Sequence, residues 1–242
     1  MGIEIIENTP ALIVDRKTLI VSDLHYGRVF IRDIKTLNEV LSYETKKLLN
    51  LVMLYKPKTI IINGDLKEAL GKPHKVISEH INILLEKLLS HVREIIIVRG
   101  NHDGKLDEML KQYILTSVKI TAEETISVSG SNVLVSHGHR KLDYEELSKV
   151  SIVISGHIHP ALKIVGNALR VKCWAVFDVS LRQNDVSKKI KWILMPAFSS
   201  FISGITLNEL SKSEMISLSP FPGNLSQIFK KHFLLLDLTP LD

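Results

Sequence analysis

Acidic and imidazole side chains stand at the ends of apolar runs through the first two thirds of this 242-residue chain. Val21 leads into Ser22-Asp23-Leu24-His25, Ile62 into Asn63-Gly64-Asp65, and Val98 into Arg99-Gly100-Asn101-His102-Asp103. Val135 leads into Ser136-His137-Gly138-His139, and Ile154 into Ser155-Gly156-His157-Ile158-His159. Carboxylate oxygens and imidazole nitrogens suit borderline divalent ions such as Mn, Fe, Co, Ni or Zn, and no thiolate stands among them to favour a softer metal. Asp23, His25, Asp65, Asn101, His137, His157 and His159 offer more donors than one ion takes from a protein while leaving room for substrate. The expectation is therefore two ions bridged by Asp65, whose two oxygens can each face one ion, with a hydroxide as the second bridge. His157 and His159 share a face if the chain between them is extended. In His137-Gly138-His139 either ring can ligate; His137 lies nearer the strand end and is preferred.

Such residues meet only if the elements before them converge. The runs Leu12–Val14, Leu19–Val21, Thr59–Ile62, Ile95–Val98, Val133–Val135 and Ile152–Ile154 are short, β-branched and continuous, as strands covered on both faces are. Thr36-Leu37-Asn38-Glu39 reads as a capping box opening a helix whose stripe Leu37, Leu41, Leu48, Val52 and Tyr55 runs to a stop at Pro57. A second helix carries Val76, Ile77, Ile81, Leu84, Leu85, Leu88, Leu89 and Val92 on its apolar face. The chain around Pro10 and Asp15-Arg16-Lys17 reads as a hairpin at the edge of the first sheet. Strand and helix alternation predicts an α/β layer with right-handed crossovers, and ligands in such sheets gather outside the carboxyl ends of the strands. Beyond Ser117, the runs Thr125–Val128, Ile164–Val165, Arg170–Val179, Ile190–Leu194 and Phe233–Leu238 predict a second, mixed sheet, in which Trp174 and Trp192 pack.

The succession D-x-H, G-D, G-N-H-D, H-G-H and G-H-x-H over residues 20–160 resembles the calcineurin-like metallophosphoesterase superfamily. The resemblance implies an αββα sandwich of two mixed sheets flanked by helices, a dinuclear centre with manganese the commonest ion, and phosphate-ester hydrolysis by a metal-bridging hydroxide. Carried over motif by motif, Asp23, His25, Asp65 and His159 would hold one ion, and Asp65, Asn101, His137 and His157 the other. His102 would donate to the phosphate or protonate the leaving alkoxide, with Asp103 orienting it. "VSDLHYGRV" near the start and "MPAFSSFISGITLN", Met195 to Asn208, resemble the small SbcD-related phosphoesterases encoded beside DNA ligase or a repair helicase, although Ser199 and Ser203 replace the usual glycines. That narrower resemblance implies a DNA nuclease in repair, single-stranded DNA as substrate, and a helicase or ligase as partner. A phosphomonoesterase or small-nucleotide phosphodiesterase would use the same metal core, and a non-catalytic scaffold, as in a retromer subunit of the superfamily, would show eroded ligands.

Composition narrows the setting. A hydrophobic fraction of 45% and a charged fraction of 24%, without low-complexity segments, predict one globular domain spanning 1–242. No apolar run reaches membrane-span length and the N-terminus lacks a signal-peptide pattern, so a cytoplasmic location is expected. The lone Cys173 reads as a buried small hydrophobe. The net charge of +5 points weakly toward acidic partners, because its residues are scattered apart from Arg182–Lys191. Arg28, Arg32, Lys67, His74, His139, Arg140 and Lys141 stand near enough to the motifs to touch substrate, with solvated loop charge the preferred reading except for His139, whose ring can also ligate; Tyr26 and Phe30 read as packing residues rather than base-stacking platforms.

Overall fold

The computed structural model describes residues 2–28, 33–111, 117–164, 169–183 and 186–241, and two β-sheets face each other across its centre. In the first, β1 (Ile3–Ile5), β2 (Ala11–Val14), β3 (Thr18–Val21), β4 (Thr59–Asn63), β5 (Glu94–Val98) and β6 (Val118–Thr121) lie side by side in chain order. The β2–β3 pair is antiparallel, turning through Asp15 and Arg16, both at positive φ, whereas β3 to β6 run parallel. The edge hairpin read from the sequence is therefore present, with β1 adding a further antiparallel strand.

The second sheet holds β7 (Glu123–Val128), β8 (Ser131–Ser136), β9 (Ile152–Ser155), β10 (Pro160–Lys163), β11 (Arg170–Gln183), β12 (Val186–Leu194) and β13 (Ile205–Thr206). Their order is β13-β10-β11-β12-β9-β8-β7, and β14 (Ser226–Leu235), paired to β15 (Pro240–Leu241), also joins β11. The strand expected at Ile164–Val165 begins instead at Pro160, directly after His159; Ile164 falls beyond it and Val165 lies outside the described residues. Proline has no N–H to lose at a strand's first position, so it opens β10 rather than blocking it.

Three apolar layers follow. Leu12, Ile20, Ile61, Val98, Val135, Ile154 and Trp174 fill the space between the sheets. Helices α1 (Ile34–Tyr55) and α2 (Lys75–Leu89) cover the first sheet through Leu41, Leu48, Ile81 and Leu85. On the far side Trp192, Phe177, Phe221 and Leu147 pack under α4 (Tyr144–Ser148) and α5 (Lys212–Leu218), while the single turn α3 (Leu106–Met109) follows β5. This is the expected α/β sandwich of two mixed sheets flanked by helices. The first cap differs from the sequence reading: Asp33, not Thr36, caps α1, accepting from the Thr36 N–H at 2.8 Å and hydroxyl at 2.6 Å, since an N-cap carboxylate serves the N–H three residues on. At the other end Lys56, at φ 47°, closes the helix just before Pro57.

Candidate metal centre

All five site turns leave carboxyl ends of strands: those after β3, β4 and β5 in one sheet and those after β8 and β9 in the other. Backbone hydrogen bonds stitch them together. The Asp23 N–H donates to the Gly64 carbonyl at 3.1 Å, the His25 N–H to the Asp65 carbonyl at 2.8 Å, and the Gly156 N–H to the His137 carbonyl at 3.0 Å. Asp23, His25, Asp65, His157 and His159 all adopt left-handed backbone, with φ of 58°, 46°, 50°, 67° and 51°. Such conformations cost about 1–3 kcal/mol each and persist where the surroundings over-determine them, which is typical of functional turns. They also overturn the extended-strand argument for His157 and His159: the two rings diverge into different groups instead of converging on one point. Gly64, at φ 80°, leaves no room for a Cβ, which would lie 2.1 Å from His137 Nδ1.

Ligand atoms of Asp23, His25, Asp65 and His159 lie within 4.8 Å of one another, and so do those of Asp65, His137 and His157. Asp65 belongs to both groups. His159 Nε2 sits 2.9 Å from Asp23 Oδ1, and the Nε2 atoms of His25 and His159 approach to 3.3 Å. His137 donates from Nδ1 to the Asn63 carbonyl at 2.9 Å; its buried Nε2 lies 3.3 Å from Asp65 Oδ2 yet makes no well-formed hydrogen bond. One ring nitrogen anchored on a carbonyl and the other left bare beside a carboxylate is the arrangement of a metal-binding imidazole, so these residues fit a pair of divalent ions. Asn101 is exposed at the head of the loop after β5. Next to it, His102 gives its N–H to Asp65 Oδ1 at 2.8 Å and its Nδ1 to the Glu68 carbonyl at 2.5 Å, with its ring edge-on to His25.

The sequence matches the calcineurin-like phosphoesterase superfamily domain over residues 17–175. The chain belongs to that superfamily. Among solved structures, the Pseudomonas putida nuclease MPE superposes with a TM-score of 0.63 at 18% identity, over 98% of this chain and 94% of that one. No curated protein matches. The fold of this phosphoesterase is thus that of a family of metal-dependent hydrolases, and its donor groups could hold metal ions.

Electrostatics of the site follow from crowding. Burial would raise the Asp23 carboxyl, but the neighbouring imidazoles of His159 and His137 and the hydrogen bonds from His159 and Ser22 prevail and hold it well below the usual carboxylate range. Asp65 is likewise lowered, with burial outweighed by His137 and the His102 N–H. His137 moves up to about 9, since Asp23 and Asp65 outweigh its burial. Burial lowers His25, and burial beside His137 brings both His157 and His139 down to about 4. His137 alone among these shifted rings has carboxylate neighbours that outweigh burial and favour a second proton. A divalent ion would take that proton's place.

Several side chains sit differently from their sequence reading. The His102 ring meets the Glu68 carbonyl rather than Asp103, whose buried carboxylate accepts from the Leu66 N–H at 3.0 Å and the Gly100 N–H at 2.8 Å. Asp103 therefore fixes the loop that carries His102, and burial raises its pKa. Lys67 is no solvated charge: it is fully buried, donating to the carbonyls of Ala69, Gly71 and His102. Lys141 reaches the last carbonyls of α5, and Arg28 pairs with Glu68. His74 caps α2, Arg140 is exposed, and the His139 ring lies 5.4 Å from that of His137. Tyr26 is buried as expected, its hydroxyl 2.8 Å from that of Thr45; Phe30 and Arg32 lie outside the described residues. The Met195–Asn208 stretch backs the site, with the Phe198 and Ser199 N–H groups on the carbonyls of Ser22 and Asp23 and with Lys47 and Lys172 gripping its carbonyls. Glu68 carried no motif, and only the pairing of the 25–26 and 65–68 loops brings it to the site.

Proposed function

We propose that this phosphoesterase is a two-metal phosphodiesterase that hydrolyses DNA, with manganese its working ion. Asp23, His25, Asp65 and His159 would hold one ion and Asp65, Asn101, His137 and His157 the other. The observation that carries this reading is the pair of donor groups sharing Asp65. Bound ions would act as Lewis acids on the phosphate and raise the acidity of water. The chain's own residues do the rest. Asp65 spans both groups and is braced by the His102 N–H. His102, held through Nδ1 by a carbonyl, keeps Nε2 for a phosphate oxygen or for proton transfer to the leaving alkoxide.

A polymeric substrate is favoured because the centre is open on one side: Asn101 is exposed and the His159 side chain is 20% exposed, while Asp23 and Asp65 lie beneath. Likeness in fold to a nuclease supports the same direction. Single-stranded DNA is the proposed form, in a repair setting beside an unwinding or joining enzyme. The test is turnover by the manganese-loaded protein on single-stranded DNA, duplex DNA, a mononucleotide and bis-p-nitrophenyl phosphate. Cleavage of the diesters, with single strands preferred, supports the proposal. Hydrolysis of the mononucleotide alone would make it a phosphomonoesterase, and no turnover at all with two ions bound would make it a scaffold.

A further inference from the structure

Glu68 joins the two halves of the proposed chemistry, and nothing in the motifs assigns it a role. The 25–28 loop and the 65–68 loop run side by side: the Tyr26 N–H donates to the Leu66 carbonyl at 3.0 Å and the Glu68 N–H returns to the Tyr26 carbonyl at 3.0 Å. That zipper sets the Glu68 carboxylate beside His25, with Oε2 2.6 Å from Nδ1. An ionised carboxylate only accepts, so Nδ1 carries the hydrogen and Nε2 keeps its lone pair. Nε2 faces inward, 3.4 Å from Asp65 Oδ2 and 3.3 Å from His159 Nε2. The other oxygen of Glu68 accepts from Arg28 Nη1 at 2.7 Å. The Glu68 main-chain carbonyl meanwhile holds His102 Nδ1.

We propose that Glu68 is a positioning residue that fixes His25 in the tautomer able to bind metal, with Arg28 holding Glu68 in place; this rests on the two-metal reading above. A carboxylate on the far nitrogen orients an imidazole ligand and raises its basicity, and loss of such a partner typically costs about 10–100-fold in metal affinity. The roles of the Glu68 side chain and main chain are separable, because substitution removes the carboxylate on His25 but leaves the carbonyl on His102.

Manganese titration by calorimetry on wild type, Glu68→Ala, Glu68→Gln and Arg28→Ala tests this, together with imidazole ¹⁵N shifts of the metal-free proteins. Glu68→Ala weakens one of two bound ions by about 10–100-fold, leaves the other unchanged, and recovers near wild-type kcat at saturating manganese. Glu68→Gln, which keeps shape and an accepting oxygen, lies between, and serves alone if the alanine variant fails to fold. Arg28→Ala shifts affinity in the same direction by less. The ¹⁵N spectrum shows His25 protonated at Nδ1 in wild type and mixed between tautomers in Glu68→Ala. Unchanged affinity with an unchanged tautomer overturns the inference. So does a wild type that binds three ions and loses one whole equivalent on substitution, since Glu68, His25 and His102 would then be ligands of a third ion. A wild type that binds no manganese defeats the two-metal reading instead, and the metal-free ¹⁵N comparison still judges the tautomer.

Discussion

Gly100 offers a steric test of the centre that substitutes none of the candidate ligands. A Cβ at this position would stand 2.0 Å from Asp65 Oδ1, 2.3 Å from the Asp65 amide nitrogen and 2.8 Å from its Cγ. Cβ contacts under 3.0 Å do not persist, so in Gly100→Ala the Oδ1 atom must retreat by 1.0 Å, the difference of 3.0 and 2.0 Å. A rotation of the side chain alone is insufficient, because the amide nitrogen is also in the way. The retreat breaks into the 2.8 Å bond from the His102 N–H and moves the one carboxylate common to both donor groups. Misplacement by about 1 Å costs on the order of 10²-fold in rate, so Gly100→Ala should lose about that much turnover of bis-p-nitrophenyl phosphate at saturating manganese. Calorimetry should report weaker binding of both ions. Gly71→Ala, with nothing within 4 Å of its added Cβ, is the control and keeps wild-type activity. A Gly100→Ala protein that folds, binds two ions at wild-type affinity and turns over at full rate would refute the placement of Asp65.

Asp65→Ala should abolish turnover at every manganese concentration, whereas His157→Ala is partly rescued by excess metal; a titration giving equal rescue contradicts the shared role. His102→Ala should keep both ions yet lose about 10²–10⁴-fold in rate on DNA and less on bis-p-nitrophenyl phosphate, whose leaving group needs no proton; equal losses on the two substrates would rule out acid catalysis. Phe201 is 44% exposed on the loop whose Ser199 N–H holds the Asp23 carbonyl; if single-stranded DNA crosses that loop by stacking a base on the ring, Phe201→Ala should raise KM for it by about tenfold without affecting the small diester. Glu123 is pushed up to about 7 from 4.5 by burial and by the nearby carboxylates Glu146 and Asp143. Its folded pKa exceeds its unfolded one, so stability is complete below 4.5 and falls as pH rises toward about 7. Thermal melts across that window should flatten in Glu123→Gln, and an unchanged slope would assign the effect elsewhere.

What the sequence disclosed was governed by how local the cause is. Asp23, His25, Asp65, His137, His157 and His159 announce themselves because each follows an apolar run, and the convergence of strand ends is a property of the fold class. Glu68 did not, since its place depends on a bridge between two loops some forty residues apart. Lys67 misled for a related reason: it looks like surface charge in one dimension, and only folding surrounds it, as it does Lys172, with carbonyls. Burial brings Lys172 down to about 8. Part of the basic excess that pointed toward nucleic acid is therefore spent inside the molecule. The extended reading of His157-Ile158-His159 failed because β9 ends at Ser155, before the turn begins.

The left-handed turns have a consequence for how this centre can change over evolutionary time. Asp, Asn and His are among the few residues other than glycine that enter this backbone region readily, while β-branched and bulky side chains are outliers there. Under the two-metal proposal, Asp23, His25, Asp65, His157 and His159 answer to two filters at once: each must donate to a cation and each must tolerate a positive φ. Substitution by glycine keeps the turn but removes the donor, and substitution by a larger donor keeps the chemistry but strains the turn. On that proposal, the residues most readily exchanged at these positions are oxygen and imidazole donors, the set that suits hard and borderline metals.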